Sequence, residues 1–207
     1  MRKTLQEFYR LNKRDSHRAA VLLSRAFQDW PVAVALVPDE ERRKNRSKYA
    51  YKMTINYCIK FGEAYAPTQD LEGVGMLIHS DKDIMSTWQM IKHGALKILF
   101  KLGTKFVDGM EQYADFLEKL ANEAVERPYY HLMWLAVEPE LQKTGIGTQL
   151  MHAILDKCNK DNLRCYLDTQ EKENVEYYKR FGFKVVNKGK FPHIDVMCWG
   201  MLWEPNV

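Results

Sequence analysis

The 207-residue sequence has no run of about 18 apolar residues, the length that a membrane-spanning helix needs. No apolar segment typical of a signal peptide follows Met1-Arg2-Lys3. We therefore expect a cytoplasmic protein with no membrane partner. No internal repeat or linker interrupts the chain, and its length suits one domain, residues 1–207.

Cysteine is scarce, and no two cysteines have the CxxC spacing of a redox or zinc site. We expect reduced core thiols at all four positions, which are Cys58, Cys158, Cys165 and Cys198. His131, His152 and His193 also lack ligand-like spacing, so we predict no metal site. The net charge is only +4, and basic residues are interleaved with acidic ones, which argues against a nucleic-acid partner.

Apolar residues recur at helical spacing in the N-terminal third of the chain. They predict a helix over 16–30 that stops at the following proline, and a second helix over 40–61 with Asp39 as its N-cap. Two short extended segments follow, 63–66 and 73–79, with a turn-forming stretch between them. We expect these two segments to form a β-hairpin.

Two further helical patterns lie between residues 84 and 125. Gly103 and the pair Asp108-Gly109 are expected to separate them. The result would be a helical hairpin inserted before the next strand, a place where substrate specificity can reside.

The second half of the chain alternates between extended and helical patterns. The nearly continuous apolar run 131–137 predicts a central strand that is buried on both faces, and a helix follows over 145–158. The remaining elements are strands at 164–168, 183–186 and 196–203, and a short helix at 175–180 that Gly182 closes. This order predicts an α+β fold.

The turn after the central strand carries two glycines, Gly145 and Gly147, separated by one residue. Backbone N–H groups at the start of a helix, together with the positive end of its dipole, form an anion site when no side chain blocks it. Lys143 adds a positive charge, and the hydroxyls of Thr144 and Thr148 can donate hydrogen bonds. A phosphate-bearing ligand suits this turn, although a tight strand-to-helix connection would also explain the glycines.

Two familiar phosphate-binding motifs do not fit the spacing of this turn. In a Walker A loop the lysine follows the glycines, whereas Lys143 precedes them. A dinucleotide-binding fingerprint needs glycine or alanine where this chain has Leu150. Neither ATP nor NAD is therefore favoured.

The segment from Leu135 to Gly147 resembles the acyl-CoA signature of the GNAT superfamily of N-acetyltransferases, whose core is Gln/Arg-x-x-Gly-x-Gly/Ala. A second marker of that family, a tyrosine four residues before Gly-Phe, is matched by Tyr178 and Gly182-Phe183. The resemblance implies a mixed, mostly antiparallel central sheet with one splayed parallel strand pair, flanked by helices. The helical insertion at about 84–126 resembles the small-molecule branch, which includes the puromycin acetyltransferase.

The resemblance also implies where acetyl-CoA binds as a cosubstrate. Pantetheine would extend the central strand, and the pyrophosphate would meet the N–H groups of the turn. The implied contacts are Leu135, Ala136, Val137, Gln142, Lys143, Thr144, Gly145, Ile146, Gly147, Thr148 and Asn174.

Two residues are candidates for acid and base catalysis. In the family, a tyrosine at the position of Tyr178 protonates the departing thiolate, and a phenol is protonated at neutral pH. The attacking amine must lose a proton, and His131 lies where the histone-modifying branch has a glutamate. Asp168, His79 or ordered water are alternatives for the base.

These features predict transfer of an acetyl group from acetyl-CoA to a primary amine of a small molecule, by direct attack in a ternary complex. Acetylation of a protein N-terminus or lysine is one alternative, and a non-catalytic acyl-CoA-binding sensor is another. The apolar last strand is compatible with a homodimer. The spacing of residues does not identify the acceptor amine.

Overall fold

A computed structural model of the chain describes residues 4–83, 92–192 and 194–205. Within these residues seven strands form one sheet, and seven α-helices pack around it. The strands are β1 (Tyr9–Arg10), β2 (Glu63–Ala66), β3 (Gly73–His79), β4 (Tyr130–Val137), β5 (Cys165–Thr169), β6 (Lys184–Phe191) and β7 (Val196–Trp203). The helices are α1 (Ser16–Ala26), α2 (Pro31–Leu36), α3 (Glu40–Phe61), α4 (Ala95–Leu102), α5 (Thr104–Ala124), α6 (Ile146–Lys160) and α7 (Lys172–Lys179). In the part of the chain that is described, no helix is both long and apolar enough to cross a membrane.

The sheet has the strand order β1-β2-β3-β4-β5-β7-β6, and all neighbouring strands are antiparallel except β4 and β5. The parallel pairing of β4 with β5 is registered at Tyr130 with Cys165 and at His131 with Tyr166. Beyond these pairs β4 continues to Val137 and β5 to Thr169, so the two strands separate. The mixed sheet with a splayed parallel pair that the sequence predicted is confirmed.

Two apolar layers hold helices against the sheet. Leu150 and Ile154 of α6 pack with Leu167 of β5 in one buried cluster. On the other face, Leu23 of α1 packs with Ile55 of α3 and with β3. Each of these large buried side chains contributes about 1.5–3 kcal/mol of burial free energy.

Several local predictions are confirmed. The Asp39 side chain accepts a hydrogen bond from Arg42 N at 2.7 Å and caps α3, which spans the predicted residues. Strands β2 and β3 form the expected antiparallel hairpin. The four cysteines are free and buried.

The prediction that a helix runs to residue 30 and stops at Pro31 is wrong. Helix α1 ends at Ala26, and Pro31 is the first residue of α2. Proline is tolerated there because the first N–H groups of a helix have no intrahelical acceptor.

The boundary inside the helical hairpin is also only partly as predicted. Gly103, with φ of +89°, separates α4 from α5, whereas Asp108-Gly109 lies within α5. The Leu36 side chain occupies the space that a β-carbon at Gly109 would need, so this glycine lets α2 approach α5 closely. Residues 84–91 of the predicted insertion lie outside the described residues.

Candidate active site

The separation of β4 from β5 leaves one edge of β4 without a registered strand beyond His131. On its other edge, Leu135, Ala136 and Val137 pair with β3. Leu132 of β4 belongs to the buried cluster on one face of the sheet and Ala136 to the cluster on the other, so apolar packing covers both faces of the strand, although its other residues are only partly buried. The strand is half-buried because it borders the gap.

The turn after β4 ends at a helix N-terminus with open space in front of it. Lys143 and Gly145 both have positive φ, +64° and +94°, and α6 begins at Ile146. The first N–H of the helix with a backbone acceptor is that of Gln149, which donates to Gly145 O at 2.9 Å. The preceding N–H groups therefore remain available to an anion. A β-carbon at Gly145 would meet no atom within 4 Å, so nothing blocks the approach.

Side chains of the turn mainly stabilise its shape. Thr144 Oγ1 donates to Leu141 O at 2.6 Å, and Gln142 Nε2 donates to Val137 O at 3.4 Å. Arg25 of α1 forms an ion pair with Glu138 at 3.1 Å and a second one with Glu140. Of the predicted side-chain contacts, those of Gln142 and Thr144 are thus engaged with the backbone of the turn.

Tyr178 lies on α7 and packs against Phe183 and Tyr177, with ring centroids 5.8 and 5.3 Å apart. Burial raises the pKa of its phenol well above the usual value, and the neighbouring Tyr177 and Asp168 raise this pKa further. Tyr178 therefore keeps its proton throughout the neutral range. Tyr178 also packs against the buried cluster that joins β5 to α6.

Tyr177 was not identified from the sequence. A β-carbon at Gly147 would lie 3.2 Å from the Tyr177 hydroxyl, which places this hydroxyl at the start of α6. Its neighbour in the predicted set, Asn174, donates from Nδ2 to Glu171 Oε2 at 3.0 Å in the first turn of α7. A cofactor contact for Asn174 stays a prediction.

His131 lies between two carboxylates. Its Nδ1 is 2.7 Å from Asp83 Oδ2, and its Nε2 is 3.5 Å from Asp168 Oδ1. Burial lowers the pKa of the imidazole, but the two carboxylates outweigh it and raise this pKa to about 10. His131 is therefore an imidazolium at neutral pH, and an imidazolium has no lone pair with which to accept a proton.

The other candidate base, His79, lies next to Asp81 and Tyr130, with its Nδ1 3.4 Å from Asp81 Oδ2. In the described ranges no three His, Cys, Asp or Glu side chains are grouped so that they could hold a metal ion.

Comparison with known proteins identifies relatives of this fold. A family model described as an acetyltransferase (GNAT) domain matches residues 113–194. An uncharacterised N-acetyltransferase of Schizosaccharomyces pombe is 23% identical over 181 residues, which cover 84% of this chain and 72% of that protein.

Solved structures agree over nearly the whole chain. Arylalkylamine N-acetyltransferase 2 from Aedes aegypti superimposes with a TM-score of 0.70 and 11% identity, covering 96% of this chain and 98% of that one. A Corynebacterium glutamicum structure, titled histone acetyltransferase HPA2 and related acetyltransferase, has a TM-score of 0.69 and 15% identity, covering 100% and 98%. Likenesses at such low identity show the fold alone. The resemblance to the GNAT superfamily of acetyltransferases is therefore supported by the family model over residues 113–194, and the solved structures agree with it in fold.

Proposed function

We propose that the protein is an acetyl-CoA-dependent N-acetyltransferase that acetylates the primary amine of a small molecule by direct attack in a ternary complex. The observation that carries this proposal is the gap between β4 and β5, which lies beside the free N–H groups at the start of α6. A slot of this kind accepts an extended arm along a strand edge and an anion at the helix end.

The residues that are present fit acetyl-CoA. The free edge of β4 at Leu135, Ala136 and Val137 offers backbone groups to the amides of pantetheine. The N–H groups from Ile146 to Thr148 suit the pyrophosphate, and the open space at Gly145 admits it. When bound, acetyl-CoA supplies an acetyl group activated as a thioester.

The overall reaction converts R–NH₃⁺ and acetyl-CoA into R–NH–CO–CH₃, CoA–SH and one proton. Two protons must therefore leave the amine nitrogen, and one proton must reach the departing thiolate. We assign the second task to Tyr178, because burial keeps its phenol protonated and it packs against the cluster that joins β5 to α6. His131 remains a residue of the proposed site, as a cation that holds Asp83 and Asp168 in place.

The preference for a small acceptor is supported by how α5 covers part of the sheet. Tyr113 of α5 packs against Phe191 of β6, with centroids 5.2 Å apart, and the ring of Phe116 also contacts Phe191. Ala121 of α5 also lies in a buried cluster with Tyr166 of β5, so this helix covers part of a strand that borders the gap. A protein substrate would need a more open approach.

Replacement of Tyr178 by phenylalanine tests the proposal. We expect kcat of Tyr178→Phe to fall at least about 100-fold, since the thiolate loses its acid, while acetyl-CoA binding stays unchanged. The release of CoA thiol with a panel of amines measures kcat, and calorimetry measures the dissociation constant of acetyl-CoA. Tyr49→Phe, a change on α3, is the control and should retain full activity.

Two outcomes would contradict the proposal. Tight acetyl-CoA binding without acetyl transfer to any amine or peptide would identify a non-catalytic sensor. Transfer restricted to peptide N-termini or to lysine side chains within peptides would identify a protein acetyltransferase.

A further inference from the structure

His131 carries one positive charge and lies between two negatively charged carboxylates, those of Asp83 and Asp168. The three side chains therefore have a net negative charge at the gap. The three side chains are only 18%, 17% and 15% exposed. A carboxylate at such low exposure strongly attracts a cation that can reach it. The single positive charge of His131 balances only one of the two carboxylate charges.

The Tyr166 hydroxyl gives independent evidence for a ligand at this place. Tyr166 is 1% exposed, and its hydroxyl is buried without a hydrogen-bond partner among the described residues. Its ring lies 5.7 Å from the His131 ring. Burial raises the pKa of Tyr166, and the nearby Asp168 raises it further, so the hydroxyl stays protonated. A buried hydroxyl that lacks a partner costs about 1–3 kcal/mol, which a ligand can recover.

These groups lie on the face of the sheet opposite α6. Cys165 and Leu167 of β5 belong to the cluster that packs against α6. Side chains alternate along a strand, so Tyr166 and Asp168 point to the other face. An amine bound there would approach the gap from the side opposite α6.

Beyond the carboxylates the surroundings are aromatic. Gln170 Nε2 donates to Asp168 Oδ2 at 3.0 Å, and Gln170 Oε1 accepts from Trp30 Nε1 at 2.7 Å. The Trp30 ring contacts the rings of Tyr113 and Trp134 at 5.6 and 5.9 Å. Trp30 and Trp134 are both partly exposed. A group attached next to the amine would therefore meet flat apolar surfaces and few charges.

We infer that Asp168 and the Tyr166 hydroxyl form the acceptor site for a primary monoamine with an apolar, preferentially aromatic, carbon skeleton, and that Asp168 takes the proton from its ammonium group. This inference rests on the proposed acetyltransferase function and specifies its substrate and its base. Asp168 is a catalytic residue in this assignment, whereas His131 is a positioning residue.

The bonds and protons of the proposed acetyl transfer are accounted for by the following steps. The carboxylate of Asp168 removes one proton from R–NH₃⁺, and the freed lone pair forms the C–N bond with the thioester carbon. The C–S bond breaks, and the thiolate takes the phenolic proton of Tyr178. The nitrogen then loses its second proton, which restores the phenol, and Asp168 releases its own proton to water.

The experiment compares Asp168→Asn and Tyr166→Phe with the wild type, using 2-phenylethylamine and spermidine as acceptors. For Asp168→Asn we expect kcat/KM with 2-phenylethylamine to fall at least about 100-fold, with unchanged calorimetric affinity for acetyl-CoA. For Tyr166→Phe we expect KM for the amine to rise about tenfold, because a hydrogen bond to a charged group is lost. Asp156→Asn, an exposed carboxylate on α6, is the matched control.

Each result has a defined meaning. If the wild type binds acetyl-CoA but acetylates neither amine, nor any amine of the wider panel, the proposed function itself fails. If the wild type is active and Asp168→Asn matches Asp156→Asn, the function stands and the assigned base is overturned. A higher kcat/KM for spermidine than for 2-phenylethylamine overturns the apolar substrate class. If Asp168→Asn does not fold, Tyr166→Phe decides, since it removes only an unpartnered hydroxyl, and an unchanged KM overturns the site.

Discussion

The charge state of His131 depends on residues from two other parts of the chain. Its ring faces Asp83 after β3, Asp168 of β5 and the ring of Tyr166. The two carboxylates hold its pKa at about 10, above the usual value of about 6.5. We predict that the imidazole of His131 titrates near pH 10 in a ¹H–¹⁵N NMR experiment, and that Asp83→Asn lowers its pKa. Titration near pH 6.5 in the wild type would show that the contact with Asp83 does not form in solution.

The sign of the corresponding stability effect follows from this pKa. A pKa that is raised in the folded state stabilises the protein fully below the unfolded pKa of about 6.5. This stabilisation declines as pH rises and is lost once pH passes the folded pKa of about 10. The free energy of unfolding from urea titrations should therefore differ most between wild type and His131→Asn below pH 6.5 and converge above pH 10.

Single residues differed in how well the sequence revealed them. Tyr178 could be singled out because it stands at a fixed distance from Gly182-Phe183. The contact of His131 with Asp83 could not be predicted, because it joins residues 48 positions apart and depends on how β3 ends. Tyr177 stands at no characteristic distance from a recognisable motif. Its position near the start of α6 becomes visible only in the packing of α7 against α6.

At the level of elements, the turn between β4 and α6 can be tested with two matched glycines. Gly145 and Gly94 both have positive φ, and a β-carbon at either would meet no atom within 4 Å. We predict that Gly145→Glu weakens acetyl-CoA binding at least about tenfold, because its carboxylate repels the pyrophosphate at short range. Gly94→Glu also places a glutamate at a positive φ, at the start of α4, and should leave the dissociation constant unchanged.

Calorimetry at constant ionic strength measures the dissociation constant of acetyl-CoA for both variants. Equal affinity in the two variants would show that the pyrophosphate binds elsewhere. If both variants bound acetyl-CoA equally weakly, the added charge or a loss of stability would explain the weaker binding, and the location of Gly145 would not.

Elements that depend on local sequence were predicted well, whereas irregularities were not. Periodicity and an N-cap are properties of neighbouring residues, so α3 and the β2–β3 hairpin were located from the sequence. The register of β3 with β4 shifts between Met76 and Leu77, which leaves Met133 as an extra residue in β4. The run 131–137 is apolar almost throughout, so it contains no alternation from which such a shift could be recognised.

At the scale of the whole molecule, the sheet consists of two halves, β1 to β4 and β5 with β7 and β6. The registered pairs between the halves are Tyr130 with Cys165 and His131 with Tyr166. A splayed pair of this kind was implied by the family resemblance, since no local pattern distinguishes a closed parallel pair from an open one. A ligand that enters the gap would contact both halves, and the binding energy would add to the stability of the folded state.

This arrangement predicts a specific pattern of hydrogen exchange. Acetyl-CoA should slow the exchange of amides in β4 that face the gap, within 132–137, and of amides from Lys143 to Thr148. ADP carries the diphosphate without the pantetheine arm, so it should slow exchange only in the turn. Amides of β6, an edge strand that β5 and β7 separate from the gap, serve as the internal reference. If ADP protected β4 as strongly as acetyl-CoA does, or if acetyl-CoA left β4 unchanged, the gap would not be the place where the pantetheine arm binds.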